Sequence, residues 1–271
     1  METLEGSVAL VTGSAQGIGL AIAQQLSDDG ADVILADLQL QKIKQVAEEF
    51  CQKGRRAKAY PINIADSRSV DECFSIIEHE FGKLDIVVNN AAIGQTITPI
   101  IHLSDADWEH VLQVSLTGTF YSCRAAGLIM KRQAAGCIIN LSSINGLNPP
   151  ALVAAYNVAK AGVISLTQTL AVELGAYGVR VNAVCPGPIY TDFNRRVMKE
   201  RGQSLGVPDT EVIEKIRQCI PLGRWGDPTD IAHTVSFLCS SRASWVTGEV
   251  WRVSGGLNGV SATPDPLESN F

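Results

Sequence analysis

Long apolar runs are missing from this 271-residue chain: none approaches the ~20 residues that a membrane-spanning helix needs. The start, Met1-Glu2-Thr3-Leu4-Glu5-Gly6, is acidic and has no apolar signal-peptide core, so a cytoplasmic protein is expected. Paired cysteines are also missing. The seven cysteines stand singly, an odd count without a C-x-x-C pair, which predicts neither a disulfide framework nor a zinc site. His79, His102, His110 and His233 show no ligand-like pairing, and no metal is expected. There is no basic excess either. The 22 Lys and Arg against 28 Asp and Glu leave a net charge of −6, which excludes general attraction to nucleic acid or anionic membrane. No repeat, linker or composition break divides the chain, so one domain over residues 1–271 is expected.

What is present is alternation. Short apolar runs at 8–11, 33–36, 57–64, 84–88, 137–141, 179–184 and 246–253 read as strands. Helical patterns at 18–26, 40–52, 70–81, 105–131, 153–177 and 231–239 separate them. Strands without polar alternation are buried on both faces, and a β-α-β order demands parallel pairing. The expected fold is α/β: a doubly wound, Rossmann-type sheet of about seven parallel strands with helices on both faces. Two segments leave the rhythm. Residues 186–225, with a helical piece near 212–219, are too long for a simple connection and read as a substrate lid. Residues 257–271 form a polar tail, placed on the surface or against a neighbouring subunit.

The first strand runs into Thr12-Gly13-Ser14-Ala15-Gln16-Gly17-Ile18-Gly19, which opens a helix. Glycines there let the backbone turn tightly and approach a pyrophosphate seated on the helix N-terminus. Between the first strand and first helix of such a sheet, the loop is a strong nucleotide signal. Asp37 closes the second strand, 18 residues past Gly19. It is either an ordinary solvated acid or the acceptor for a ribose 2′-OH, repelling a 2′-phosphate. Gln16 adds no positive charge for that phosphate, so NAD is favoured over NADP. After the fourth strand, Asn89-Asn90-Ala91-Ala92 lies at the carboxyl edge of the sheet, where ligands bind; the two Asn can equally be turn residues.

Tyr156 and Lys160 are four apart in an Ala-rich helical run and share one face, about 5–6 Å apart at Cβ. An ammonium beside a phenol favours the phenolate, which would make Tyr156 a proton donor or acceptor near neutral pH. Taken alone, the pair reads first as an exposed Tyr and Lys on a solvated helix.

Taken together, Thr12-Gly13-x-x-x-Gly17-x-Gly19, Asn89-Asn90-Ala91, Ser143 thirteen before Tyr156, Tyr156-x-x-x-Lys160, and Pro186-Gly187 ahead of Thr191 resemble the short-chain dehydrogenase/reductase family over residues 5–256. The resemblance implies a nicotinamide cofactor, here NAD(H), and a homo-oligomer, with a tetramer favoured over a dimer. It implies Tyr156 as general acid/base on the substrate oxygen, Ser143 bonding the same oxygen, and Lys160 on the nicotinamide ribose, lowering the tyrosine pKa. Gly13, Gln16, Gly17, Ile18 and Gly19 would line the pyrophosphate and ribose, with Asp37 at the adenosine ribose. Asn63 and Ile64 would meet the adenine, Asn90 and Ala91 a ribose, and Pro186, Gly187, Ile189 and Thr191 the nicotinamide end.

The chain departs from the family pattern in places. Ser115 stands where a relay Asn is usual, Asn63 replaces an Asp, Ala92 a Gly, Ala159 a Ser, and Ser254 an Asp. The expected activity is interconversion of a secondary alcohol (polyol or sugar, cyclic alcohol, or hydroxyacyl compound) and its ketone. The alternative is a catalytically silent NAD(H)-binding partner subunit, for which Ser115 is the support. Substrate contacts are expected from Ser143, Asn145, Gln95 and Tyr156, with Ile93, Leu147, Pro149, Val153, Ile189 and Phe193 around them. Arg195, Arg196, Lys199 and Arg201 in the lid either receive a carboxylate or phosphate or form the solvated face of a short helix.

Overall fold

The computed structural model describes residues 4–259. Its strands are β1 (Val8–Thr12), β2 (Asp32–Asp37), β3 (Ala57–Pro61), β4 (Ile86–Asn89), β5 (Gly136–Leu141), β6 (Val179–Pro186) and β7 (Val250–Val253). The helices are α1 (Gly17–Asp28), α2 (Leu40–Gln52), α3 (Ser67–Phe81), α4 (Asp105–Leu112), α5 (Gly118–Gln133), α6 (Ile144–Leu147), α7 (Ala154–Gly175), α8 (Asp192–Leu205), α9 (Asp209–Cys219) and α10 (Pro228–Cys239). The strands make one parallel sheet in the order β3-β2-β1-β4-β5-β6-β7.

Alternate residues of each inner strand feed two separate cores. Ala9, Val11, Val33, Leu35, Val88 and Ile139 pack under α1, α2 and α10. Val8, Leu10, Ile34, Val87 and Ile138 pack under α3, α5 and α7. Both faces of each strand are therefore apolar, which is why the strands read as unbroken hydrophobic runs. No helix among the described residues is long and apolar enough to cross a membrane.

The expected helix over 105–131 is two helices. Between α4 and α5 the backbone widens into a π-helical turn at Gln113–Thr117. Such a turn inserts an extra residue and rotates the helix beyond it. It centres on buried Ser115, whose hydroxyl both donates to the Ile93 carbonyl and accepts from the Ile93 N–H, each at 3.1 Å. The apolar periodicity of the stretch hides this, because the bonding partner lies on a distant loop. The last strand is shorter than the expected 246–253, starting at Val250, because Gly248 holds a φ of +77 that breaks the extended run.

Residues 186–225 hold more order than a loop. α8 and α9 pack on each other around Met198, Val212 and Ile216, with Ile144 and Leu257 from the body of the fold. The polar surface of α8 conceals its length in sequence. Of the tail, Leu257 is buried in this cluster and accepts a hydrogen bond from the Ser254 hydroxyl at 2.7 Å; residues 260–271 lie outside the described residues.

Candidate active site

The carboxyl ends of β1, β2, β4, β5 and β6 open into one cavity of about 970 Å³, roofed by α8 and the segment around Trp225. At its nucleotide end, β1 turns through Gly13, whose φ of +65 suits glycine. A Cβ on Gly13 would lie 2.8 Å from the Ala91 Cα, and one on Gly19 would lie 2.3 Å from the Gly13 oxygen. Asn90 fastens this turn: its Nδ2 donates to the carbonyls of Thr12 and Gly13, both at 3.0 Å. The Thr12 hydroxyl accepts from the N–H groups of Asn90 and Ala91, each at 3.1 Å. Asn90 thus shapes the cradle for a ribose or pyrophosphate while itself lining the cavity.

No side chain caps the N-terminus of α1. Its unpaired N–H groups and positive dipole end are left for an anion, the role of such a terminus in dinucleotide sites. Asp37, 9% exposed, borders the same cavity and accepts from the N–H of Ala15 at 3.1 Å and of Gln39 at 2.9 Å. A glycine turn a Cβ would block, an uncapped helix and a carboxylate beyond it fit a nicotinamide dinucleotide. Lys42 on α2 was missed in the sequence: its ammonium donates to Gln16 Oε1 at 2.8 Å, so the loop does have a cation beside it. No periodic signal joins residues so far apart.

At the other end stand Ser143, Tyr156 and Lys160. Ser143 caps α6, its hydroxyl accepting from the Asn145 N–H at 3.1 Å. Two bonds lock α7 to the end of β5: Lys160 Nζ donates to the Leu141 carbonyl at 2.8 Å, and the Ser142 hydroxyl donates to the Lys160 carbonyl at 2.7 Å. Gly146 lets α6 press against α7, since a Cβ there would lie 2.7 Å from the Lys160 carbonyl carbon. The Lys160 ammonium sits 5.7 Å from the Tyr156 ring centroid.

The expectation that Lys160 depresses the Tyr156 pKa needs correction. Burial pushes the phenol up to about 12, against a downward pull from its hydrogen bond with Ser143. Burial also draws the buried Lys160 ammonium down to about 8. Desolvation outweighs the Ser143 hydrogen bond at Tyr156 and the neighbouring Cys185 at Lys160. The pair therefore rests as phenol and ammonium at neutral pH. Cys185, buried behind Ser142 and Lys160, has its own thiol pKa raised by burial.

Gln95 lines the cavity, with its amide bonded to the backbone at the start of α7. Its Oε1 accepts from the N–H of Ala155 at 2.7 Å and of Tyr156 at 3.4 Å, while Nε2 donates to the Leu152 carbonyl at 3.4 Å. It caps α7 from the loop after β4, a role that residue spacing cannot reveal. Ser115 likewise lies apart from the cavity lining, its hydroxyl committed to Ile93. Ile189 is 2% exposed and packs into the core, pairing with Gly226 instead of lining the main cavity. Leu147 and Pro149 are exposed outside it.

Most of the remaining expected residues share this cavity. Gly17, Ile18, Asn63, Ile64, Ala91, Pro186, Gly187 and Thr191 border the cavity, as do Ile93, Asn145, Val153 and Phe193. The Asn63 side chain accepts from the Ala65 N–H at 3.1 Å, forming an Asx turn. Thr191 caps α8 by accepting from the Asn194 N–H at 3.2 Å. The Phe193 ring closes over Gly94, where a Cβ would come within 2.8 Å of it. Ile144 from α6 also lines the cavity, with Met198 and Arg201 from α8, Ile216 from α9 and Trp225 beyond it. Among the described residues, no group of His, Cys, Asp or Glu could hold a metal ion.

A doubly wound sheet with a dinucleotide cradle at one end of its cavity and a Ser, Tyr and Lys at the other defines a nucleotide-dependent oxidoreductase. The chain belongs to the short-chain dehydrogenase/reductase family: residues 13–258 match the family model described as enoyl-(acyl carrier protein) reductase. Among its relatives is the 3-oxoacyl-(acyl-carrier-protein) reductase FabG of Aquifex aeolicus, 40% identical over 94% of this chain and 98% of that protein. A diacetyl reductase, (S)-acetoin forming, of Staphylococcus epidermidis is 34% identical over 92% of this chain and 97% of that protein. The solved structure of NAD+-bound xylitol dehydrogenase superposes with a TM-score of 0.89 at 30% identity, covering 93% of this chain and 99% of that one.

Proposed function

We propose that this oxidoreductase interconverts a secondary alcohol and its ketone with NAD(H), using Tyr156 as general acid/base. The observation that carries the reading is the cluster of Ser143, Tyr156 and Lys160 in the cavity that also holds the glycine turn and Asp37. A bound nicotinamide dinucleotide supplies hydride transfer. In the reducing direction, Tyr156 gives its phenolic proton to the substrate oxygen while Ser143 hydrogen-bonds the same oxygen. The Lys160 ammonium, fixed by the Leu141 carbonyl, stabilises the phenolate left behind. Oxidation runs the same proton transfer backwards. The names of the relatives, which cover an acyl-carrier ketone, a diketone and a polyol, support the alcohol/ketone pair.

Asp37 supports NAD over NADP, because a carboxylate bordering the cavity at the end of β2 would repel a 2′-phosphate bound there. The Ser115 hydroxyl serves the Ile93 backbone, so the reading rests on Ser143, Tyr156 and Lys160 and gives that hydroxyl no part in the proton transfer. Exposed Phe120 and Leu128 on α5, with Val158 and Val172 on α7, give a face suited to a homo-oligomer, for which we favour a tetramer. The exposed free thiols of Cys51 and Cys219 suit the reducing cytoplasm.

The test is cofactor absorbance followed over polyols, cyclic alcohols, hydroxyacyl thioesters and the matching ketones. Turnover with NAD(H) on at least one pair is expected. Cofactor binding without turnover on any of them would remove the proposal.

A further inference from the structure

Four cations lie along α8, and three face water. Arg195 pairs with Asp192 at 3.6 Å and lies over the Tyr190 ring, and Arg196 and Lys199 are exposed. Arg201 differs: it is partly buried and lines the cavity, on the helix face that carries Val197 and Met198 and opposite Ile216 and Trp225. It makes no hydrogen bond or ion pair with any described residue. Of the nearby acids, Glu211 pairs with Lys215, Glu214 with Arg217 and Asp230 with Arg224, and neither Glu200 nor Asp209 pairs with Arg201. Burial lowers the Arg201 pKa, the mark of a cation without a counter-charge.

A guanidinium withdrawn from water is ordinarily paired, and its planar fork matches a carboxylate or phosphate. Its place in the cavity argues for substrate over cofactor. The start of α8 faces the glycine turn, with Thr191 Cγ2 at 3.6 Å from a Cβ built on Gly17. Ten residues on, at 1.5 Å of rise each, Arg201 lies about 15 Å further along the helix. The apolar groups beside it, Met198 and Ile216, pack with Ile144, the neighbour of Ser143. Asn145 also faces the cavity, with a side-chain amide that bonds to no described residue.

We infer that Arg201 receives an anionic group of the substrate, a carboxylate or a phosphate, so that the enzyme acts on hydroxy acids or hydroxyalkyl phosphates in preference to neutral alcohols. This rests on the alcohol/ketone reading proposed above. It is tested with lactate, β-hydroxybutyrate and γ-hydroxyvalerate, each against its primary amide, and glycerol phosphate against glycerol. Binding to NADH-loaded protein is measured by calorimetry, and turnover is measured beside it.

At least one anion should bind roughly 10- to 100-fold tighter than its neutral partner, the scale of a hydrogen-bonded charge. Arg201→Met should collapse that ratio, and Arg201→Lys should restore part of it. The acid and phosphate arms identify which anion is held. Equal binding of every pair, or an unchanged ratio in Arg201→Met, would overturn the inference. So would a loss confined to NADH affinity, which would place the guanidinium on the cofactor. Selective binding without turnover would count against the proposed reaction alone.

Discussion

Single residues decide how closely the chain can approach a cofactor. Gly19 is the sharpest case, because a methyl group there would lie 2.3 Å from the Gly13 oxygen and 2.4 Å from Asn90 Nδ2. Gly19→Ala is therefore expected to abolish NADH binding in a fluorescence titration while the sheet still forms; unchanged affinity would refute the cradle. At Lys160 the sign of the pH effect follows from burial. Its ammonium is intact below about 8 and is lost above it, whereas Tyr156 remains a phenol until about 12. Carbonyl reduction should fall as pH rises through about 8, the value to which burial lowers Lys160. A kcat/KM profile that stays flat to the pH where free lysine titrates would contradict this. Lys42 carries a third expectation: Asp37→Ala should narrow the gap between NADH and NADPH affinity, and adding Lys42→Ala should reopen it by weakening NADPH. Residue identities at the glycine turn and the Tyr-Lys pair were legible because chemistry there is tied to local spacing. The pKa values were not, since desolvation comes from the whole surround.

Elements were read well where their stabilisation is local and less well where a distant residue supplies it. All seven strands lie within the expected runs or pass them by one or two residues, because burial on both faces writes itself into composition. The start of α7 is different. Its first N–H groups are satisfied by Gln95, some 60 residues earlier in the chain. Gln95→Ala should cost about 1 kcal/mol of stability, the usual scale for a lost cap. It should also lower kcat by loosening Tyr156, and Gln95→Glu, which retains the acceptor, should recover most of both. Thermal unfolding and steady-state kinetics check this together. A variant with a raised KM and unaltered stability would show Gln95 to be a substrate contact after all. The π-helical turn was likewise illegible, because Ser115 answers to the Ile93 backbone and not to its own helix.

At the scale of the molecule, the sheet order places β1 and β4 side by side at its centre, with β5 next to β4. The glycine turn after β1, the Asn90 fastening after β4 and Ser143 after β5 therefore meet in one cavity. The family pattern in sequence foretold that meeting, and the length of 186–225 foretold a lid beside it, but not the helix α8 that begins it. α8 brings Met198 and Arg201 to the cavity, and α9 holds Trp225 there through its Ile213 carbonyl, contacts that no local spacing encodes. The exposed Phe120, Leu128 and Val172 should lie within a subunit interface. Phe120→Glu with Val172→Glu is expected to shift the protein to a smaller species in sedimentation; a monomeric parent protein would refute the interface.

The central claim is that Tyr156 delivers the proton while cofactor binding rests on other groups. Its most direct measurement is a single turnover of ketone by NADH-loaded protein, compared between the parent and Tyr156→Phe. The account predicts a rate lower by roughly 10²- to 10⁴-fold with the NADH dissociation constant nearly unchanged. A Tyr156→Phe protein that reduces ketone as fast as the parent would contradict it.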